Sequence, residues 1–300
     1  ARKIGCQPED VFVCSTGSIG PQLPMLAIES GVGVLYDALE PDNGNETAEA
    51  MMTTDTRPKS IAVDFELGGK PCRMVGFAKG AGMIEPNMAT MLSYIITDAA
   101  VDQASLQAAL SAAVNESFNR ISVDGDQSTN DTVLALANGM ALNDAIDSCS
   151  PDWDRFEAIL KEVTFDLAMK IINDGEGITR TVTINVRGAL TDEDADLAAR
   201  SVANSMLNKT AWAGERPNWG RVMDALGYSR AKVAEDKVTI YYDETLCVAN
   251  GMAADASNEE LVEIVSKPHF EINVDLGIGQ GHAVVYSCNC TEEYVRINVE

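Results

Sequence analysis

The chain has 300 residues, and its 46 acidic against 22 basic side chains give a formal net charge of −24. This charge argues against a nucleic-acid backbone or an anionic membrane surface as partner, because both are themselves anionic. A hydrophobic content of 46% is typical of a globular chain, and no apolar run reaches the ~20 residues that span a bilayer. Seven scattered cysteines, an odd number, favour reduced thiols and a cytoplasmic location.

The first predicted elements surround two loops rich in small and hydroxyl residues. A short buried strand is expected at 11–14, and it leads into the turn Ser15-Thr16-Gly17-Ser18-Ile19-Gly20, whose backbone amides can face a ligand. Helices are expected at 26–39 and 48–52. The loop that begins at Thr53 is, by composition, a capping or turn cluster. For residues 15–20, the alternative to a ligand-binding turn is a plain strand-to-helix turn.

The next elements deliver the chain to a threonine at the junction of a loop and a strand. Alternating apolar residues predict a hairpin from 62–67 and 72–77, with Gly68-Gly69 at its turn. A glycine-containing loop follows, and from Thr90 onward an apolar run predicts a buried strand. If the bond between Ala89 and Thr90 opened, Thr90 would gain a free α-amine beside its own hydroxyl. An α-amine titrates near neutrality, so it can serve as the base for that hydroxyl.

The second half of the chain alternates helices and strands. Helices are expected at 101–118 with Thr97-Asp98 as the cap, at 153–172, from the Thr191 cap to 206, at 223–226 up to Gly227, and after the Ser257 cap. Strands are expected at 181–186, 237–242, 270–274 and 283–288, the last two joined by a tight hairpin at 277–281. The acidic segment 119–132 does not fit a calcium-binding EF-hand loop. Counted from Asp124, position six is Thr129 where the loop needs glycine, and position twelve is Ala135 where it needs glutamate.

Two other kinds of site are disfavoured by the sequence. Cys288-Asn-Cys290 has no second pair of ligands, so we expect no metal. The two histidines, His269 and His282, do not accompany a serine or cysteine motif, which argues against a Ser-His-Asp triad. Among the basic residues, Lys79 is the candidate for a locally cationic pocket that would hold an anionic substrate.

The stretch Lys79-Gly-Ala-Gly-Met-Ile-Glu-Pro-Asn-Met-Ala-Thr90-Met-Leu resembles the self-cleavage motif of the ornithine acetyltransferases. This family, also called the bifunctional glutamate N-acetyltransferases, belongs to arginine biosynthesis. The resemblance implies cleavage between Ala89 and Thr90, with Thr90 as catalytic nucleophile and part of the substrate site.

Other segments resemble the same family over nearly the whole chain. Ser-Thr-Gly-x-Ile-Gly resembles its oxyanion-hole segment, which implies that role for Thr16 and Gly17. Thr-Thr-Asp-Thr resembles a segment whose first threonine, here Thr53, contacts substrate. The resemblance further implies that a glycine-flanked glutamate and a C-terminal asparagine bind substrate. With the lysine of the cleavage motif, the implied substrate-binding residues are Thr53, Lys79, Thr90, Glu176 and Asn298. The family resemblance also implies that Asn130-Asp131-Thr132 lies ahead of a helix and serves as an active-site wall or as structural support.

The element order indicates an α/β fold of mixed β-sheets flanked by helices. The resemblance implies the layered N-terminal-nucleophile-like fold, with a nucleophile-bearing core at 1–187 and a smaller C-terminal α/β lobe at 188–300. It also implies a further segment upstream of Ala1.

The implied reaction moves acetyl from N-acetylornithine to glutamate through an acetyl-threonine, after self-cleavage. No cofactor is expected, and acetyl-CoA stays open as another acetyl donor. The two cleavage chains would assemble as a heterotetramer of two α and two β chains. Two alternatives remain: an autoprocessed aminopeptidase or amidase of similar fold, and an acidic binding domain without enzymatic activity.

Overall fold

The computed structural model describes residues 1–85 and 91–299. Its strands are β1 (Lys59–Leu67), β2 (Lys70–Lys79), β3 (Leu92–Thr97), β4 (Ile121–Ser122), β5 (Thr132–Ala137), β6 (Thr181–Ala189), β7 (Thr239–Tyr242), β8 (Thr245–Ala249), β9 (Met252–Ala253), β10 (His269–Asp275) and β11 (Gly281–Cys288). Its α-helices are α1 (Met25–Asp37), α2 (Gly44–Ala50), α3 (Gln103–Glu116), α4 (Trp153–Ile172), α5 (Asp192–Asn204), α6 (Met206–Ala213), α7 (Trp219–Tyr228), α8 (Asn258–Val265) and α9 (Glu292–Ile297).

The first sheet has the strand order β1-β2-β3-β5. Strands β1 and β2 form the predicted antiparallel hairpin, which is confirmed with Gly68 and Gly69 at positive φ in its turn. Strand β3 pairs antiparallel with β2, and its register places Leu92 opposite Lys79. Strand β5 pairs parallel with β3. The strand expected near residue 90 is therefore present from Leu92, and it is central in this sheet.

Helix α4 covers the first sheet and has the ends that its periodicity predicts. Its buried face, which includes Phe156, Leu160, Val163 and Leu167, packs against β1 and β2. The close approach needs a glycine, because a Cβ on Gly76 would lie 2.7 Å from Leu167 Cδ1. The same helix also contacts β4 and β11 of the second sheet, so it links the two sheets.

The second sheet has the order β4-β11-β6-β10-β7-β8-β9, with α5 packed on β6 and β11. The predicted hairpin between β10 and β11 is wrong. Strand β6 lies between them, parallel to β10 and antiparallel to β11. The glycines at 277–281 predict a turn from local sequence alone. Which strands pair is decided by long-range contacts, and a turn does not specify those.

Several helix boundaries also differ from the predictions: α2 begins at Gly44 and α7 at Trp219, each four residues earlier than expected. Helix α3 is capped by Asp102, whose carboxylate accepts from the Ser105 amide at 2.9 Å, and not by Thr97-Asp98. The Thr191 cap is confirmed, but α5 ends at Asn204 because Ser205 caps a new helix. Helix α7 continues through Gly227, since a glycine ends a helix only where the backbone turns left-handed.

Two further strand and helix predictions are wrong. Residues 11–14 form no strand, because no neighbouring strand in the described residues pairs with their backbone, and Val11, Phe12 and Val13 are exposed instead of buried. Asn130-Asp131-Thr132 precedes strand β5 and not a helix, since Thr132 pairs beside Leu92 in the first sheet. This second correction bears directly on the site.

The division into 1–187 and 188–300 stays a prediction. Strand β6 continues through Gly188, which has a positive φ of 68°. A Cβ at this glycine would lie 2.2 Å from Asp275 Oδ1, so the position requires glycine. Within residues 1–85 and 91–299, none of the helices combines the length and hydrophobicity needed to cross a membrane.

Candidate active site

Residues 86–90, which include the predicted cleavage residues Ala89 and Thr90, lie outside the described residues. The backbone on both sides of them is described in detail. It consists of the loop 80–85 that follows β2, and of Met91 at the start of β3. The candidate site is therefore built from the residues that hold these two flanks.

Carboxylates and backbone groups from distant segments fix the loop 80–85. The Gly80 amide donates to Asp55 Oδ1 at 2.7 Å. The amides of Met83 and Ile84 donate to the two oxygens of Asp124, at 2.6 and 2.9 Å. Ionised acceptors make stronger hydrogen bonds than neutral ones, so this loop is held firmly in spite of its glycines.

A buried triad of charges supports this arrangement. Lys59 Nζ lies 2.5 Å from Asp55 Oδ1 and 2.6 Å from Asp174 Oδ2, and the three side chains are 0–3% exposed. Burial alone raises the pKa of Asp55, but hydrogen bonds from Gly80 and Lys59 outweigh it and lower that pKa overall. The Thr53 amide donates to the other oxygen of Asp55 at 3.1 Å. The triad thus connects the exposed Thr53 loop to the end of β2.

Lys79 is a buried cation at the end of β2. In the described part of the chain, no carboxylate oxygen lies within 4.0 Å of its ammonium nitrogen, so Lys79 forms no ion pair there. Burial lowers the pKa of Lys79, and the charges of Asp55, Glu176 and Asp131 oppose that effect. An ammonium group that is buried near carboxylates, yet contacts none of them directly, is suited to pair with the carboxylate of a ligand.

Glu176 approaches the loop from the end of α4. Its backbone amide donates to the Ala81 carbonyl at 2.9 Å, and its carboxylate lies over Gly82. Asn298, just after α9, donates through Nδ2 to Glu176 Oε2 at 2.7 Å. The predicted substrate residues Glu176 and Asn298 are thus in direct contact with each other.

Asp131 holds the other flank. Its Oδ1 accepts from the Met91 amide at 2.5 Å, while its Oδ2 is buried and has no hydrogen-bond partner among the described residues. Burial raises the pKa of Asp131 to about 7, against the opposing effects of the Met91 amide and of Lys79. A carboxyl group in this state can both hold and release a proton near neutral pH.

The segment with Thr16 and Gly17 lines a cleft of about 310 Å³. Met83 and residues 127–130 form its opposite wall. The Asn130 side chain donates to the Ser15 carbonyl at 2.6 Å, which joins the two walls. The structure therefore brings the predicted oxyanion-hole residues beside the segment that contains Asp131.

Several of these residues were missed by the sequence analysis as parts of the site. Asp55 lies inside the Thr-Thr-Asp-Thr segment, and Asp124 lies in the acidic segment that fails as a calcium loop. For Asp131 the resemblance implied a wall or structural support, but not its contact with the Met91 amide. Lys59 and Asp174 gave no local signal. Their roles follow from contacts across more than a hundred residues of sequence, such as Lys59 with Asp174.

Comparison with known proteins identifies the family. A family model described as the ArgJ family matches residues 1–300. The chain belongs to the ArgJ family. The arginine biosynthesis bifunctional protein ArgJ of Chlorobium chlorochromatii is 44% identical over 298 residues, which cover 99% of this chain and 69% of that protein. The glutamate N-acetyltransferase of Methanocaldococcus jannaschii is 45% identical over 312 residues, which cover 100% of this chain and 76% of that protein.

A solved relative supports the fold of this ArgJ-family chain. The crystal structure of the arginine biosynthesis bifunctional protein ArgJ from Bacillus halodurans matches with a TM-score of 0.67 and 40% identity. The match covers 70% of this chain and 99% of the solved one. The predicted fold class, layered mixed sheets flanked by helices in the N-terminal-nucleophile-like arrangement, is confirmed. With relatives of these names, the chain is an enzyme of an acetyltransferase family.

The buried triad leads to a stability prediction. Replacing Lys59 by methionine (Lys59→Met) leaves Asp55 and Asp174 buried without their cation, and we expect a loss of about 3–5 kcal/mol in the free energy of unfolding. Denaturant unfolding measures this loss. The control is Lys161→Met, which breaks a largely exposed pair with Glu116 and should cost about 1 kcal/mol or less. Equal losses in the two variants would contradict the role given to the triad.

Proposed function

We propose that this chain transfers acetyl from N-acetylornithine to glutamate through an acetyl ester of Thr90, after cleaving itself between Ala89 and Thr90. The observation that carries the proposal is the convergence of Lys79 and the Glu176–Asn298 pair on the loop that leads to Thr90. One is a buried cation and the other a buried anion, as the carboxylate and amino groups of an amino-acid substrate require. The name glutamate N-acetyltransferase, which one relative carries, supplies the acceptor, and the resemblance of the motifs supplies N-acetylornithine as donor.

The first stage is self-cleavage. The Thr90 hydroxyl oxygen attacks the carbonyl carbon of Ala89, the C–N bond breaks, and the nitrogen takes up a proton, which leaves an ester. Water then hydrolyses the ester to give a carboxylate on Ala89 and a free hydroxyl and amine on Thr90. This is the activation logic of a nucleophile that becomes a chain terminus.

The second stage is a double displacement. The Thr90 amine accepts the hydroxyl proton while the oxygen attacks the acetyl carbonyl of N-acetylornithine, and ornithine leaves after its nitrogen is protonated. The amine of glutamate then attacks the acetyl-Thr90 ester, and N-acetylglutamate leaves while the hydroxyl regains its proton. Thr16 and Gly17 would donate to the oxyanion at each stage, where one such donor is worth roughly 10²–10³ in rate.

Substrate binding follows from the described contacts. Lys79 would pair with a substrate carboxylate. Glu176 would pair with a substrate amino group through Oε1, which accepts no hydrogen bond among the described residues, while Asn298 holds Oε2. Thr53 would complete the pocket from the loop that Asp55 fixes. No cofactor is part of this proposal.

The pairing of β2 with β3 supports the view that the two cleavage products stay together. Six residue pairs of this register, from Met74↔Thr97 to Lys79↔Leu92, join the segments before and after the cleavage site. Helix α4, which belongs to the second fragment, packs on β1 and β2 of the first. We therefore propose that the fragments remain associated, as two α and two β chains.

Cleavage gives the first prediction for this function. Intact mass of the denatured protein should reveal two chains that meet between Ala89 and Thr90, which elute together under native conditions. Thr90→Ala should remain one chain without transferase activity, because it has no attacking oxygen. Thr90→Ser is the matched control and should be cleaved. An uncleaved wild-type protein that transfers acetyl, or an active Thr90→Ala, would exclude this mechanism.

The fate of the acetyl group separates transfer from hydrolysis. With N-acetylornithine as donor, formation of N-acetylglutamate should depend on added glutamate, and little acetate should form. Acetate release that is independent of glutamate would favour the aminopeptidase or amidase alternative. A parallel reaction with acetyl-CoA and glutamate measures whether that donor is used.

The contact between Gly82 and Glu176 predicts a specific effect on binding. A Cβ at position 82 would lie 2.4 Å from Glu176 Cδ, so Gly82→Ala must displace the carboxylate. At the 1–3 kcal/mol typical of overpacking, we expect KM for the amino-acid substrates to rise about tenfold or more. In Gly227→Ala the added Cβ meets nothing within 4 Å, and KM should not change. An unchanged KM in Gly82→Ala would remove Glu176 from the binding site.

A further inference from the structure

Self-cleavage needs a base that the mature enzyme does not need. Before cleavage the nitrogen of Thr90 is part of a peptide bond, so it has no basic lone pair with which to accept the hydroxyl proton. The α-amine exists only as a product of the reaction. Another group must therefore remove the proton from the hydroxyl in the first stage.

The position of Asp131 fits this task. Its Oδ1 accepts from the amide of Met91, which is covalently joined to Thr90. The Thr132 amide donates to the Met91 carbonyl at 3.0 Å, so the backbone at Met91 is fixed to the segment 131–132 on both its sides. The second oxygen of Asp131 is buried and has no partner among the described residues. A buried polar atom without a partner is costly unless it has a function or a missing ligand.

Two other carboxylates near the cleavage segment are already engaged through both of their oxygens. Asp124 accepts from the amides of Met83 and Ile84 and from the Tyr294 hydroxyl. Glu85 accepts from Arg200 at 3.2 Å and from Asn204 at 2.6 Å. Glu176 Oε1 also accepts no hydrogen bond in the described residues, but Glu176 contacts the loop at Ala81 and Gly82. Asp131 is thus the carboxylate with a free oxygen that binds the residue next to Thr90 in the described part of the chain.

We propose that Asp131 is the general base of self-cleavage, which accepts the proton of the Thr90 hydroxyl and returns it to the departing nitrogen. This inference rests on the self-cleavage proposed above. The proton balance closes without any other reactant. The carboxylate takes one proton as the C–O bond to Ala89 forms, and it gives that proton to the amide nitrogen as the C–N bond breaks. Water enters only in the later hydrolysis of the ester.

The surroundings of Asp131 keep it responsive near neutral pH. Lys79, at the end of β2, is the charged group that acts on it, and the strands β3 and β5 carry no charged side chain. Tyr94 is the one titratable residue of those two strands. The further charged groups that act on Lys79 are Asp55, Lys59 and Glu176.

Cleavage kinetics of Asp131→Asn test this inference. The chain is made in a short pulse of cell-free translation and shifted to buffers between pH 5.5 and 9, and the two fragments are followed by mass. The wild-type rate should rise with pH and level off above about 7, where the pKa of Asp131 lies, because the base is the ionised form. Asp131→Asn should cleave roughly 10²–10⁴-fold more slowly, the usual contribution of a general base, and without that pH dependence.

Controls separate this role from a structural one. The matched control is Asp98→Asn. Asp98 follows the far end of β3, and its carboxylate accepts a hydrogen bond from the Arg73 backbone amide. The Asp98→Asn chain should be cleaved like the wild type. Asp131→Glu keeps the carboxylate and should retain pH-dependent cleavage. This variant still tests the inference if Asp131→Asn fails to fold. A slow Asp131→Asn with the wild-type pH profile, or one that cleaves at the wild-type rate, would overturn the inference. An uncleaved wild-type chain would instead overturn the proposed function.

Discussion

The backbone on either side of residues 86–90 is held by carboxylates that accept hydrogen bonds from its amide groups. Asp55 holds Gly80, Asp124 holds Met83 and Ile84, and Asp131 holds Met91. Each acceptor comes from a segment distant from the amide that it binds. A glycine-containing loop would otherwise have many conformations, so these contacts provide the fixed frame that the proposed self-cleavage would require.

Buried charge is the cost of this frame. A carboxylate taken out of water is destabilised by several kcal/mol unless it is paired, and the Lys59 ammonium supplies the pairing for Asp55 and Asp174. Lys79 is different, because in the described residues it lies near carboxylates without an ion pair. In a chain with a net charge of −24, such a local cation is what the proposed amino-acid substrate would need in order to bind.

The same sheet explains how a cut chain can keep its site. Lys79 and Leu92 are opposite each other in the antiparallel pair of β2 and β3, so the two flanks of residues 86–90 are hydrogen-bonded neighbours. The proposed cleavage between them would remove one covalent bond but none of the ladder contacts. The packing of α4 on the hairpin adds a hydrophobic interface between the two parts of the chain.

The sequence by itself determined the elements whose signals are local. The periodicity of α4, the Gly68-Gly69 hairpin and the caps at Thr191 and Ser257 all act within a few residues, and the structure has them as predicted. The family motif likewise pointed to the segment around Thr90, because such a motif is contiguous.

Only the tertiary structure decided which distant segments meet. Strand β6 separates β10 from β11, Asn130-Asp131-Thr132 leads into a strand, and Asp131 meets Met91. The buried contact of Lys59 with Asp174 joins residues more than a hundred positions apart. The physical reason is that strand order and ion pairing depend on the packing of the whole chain, whereas local patterns report only which face of an element is apolar.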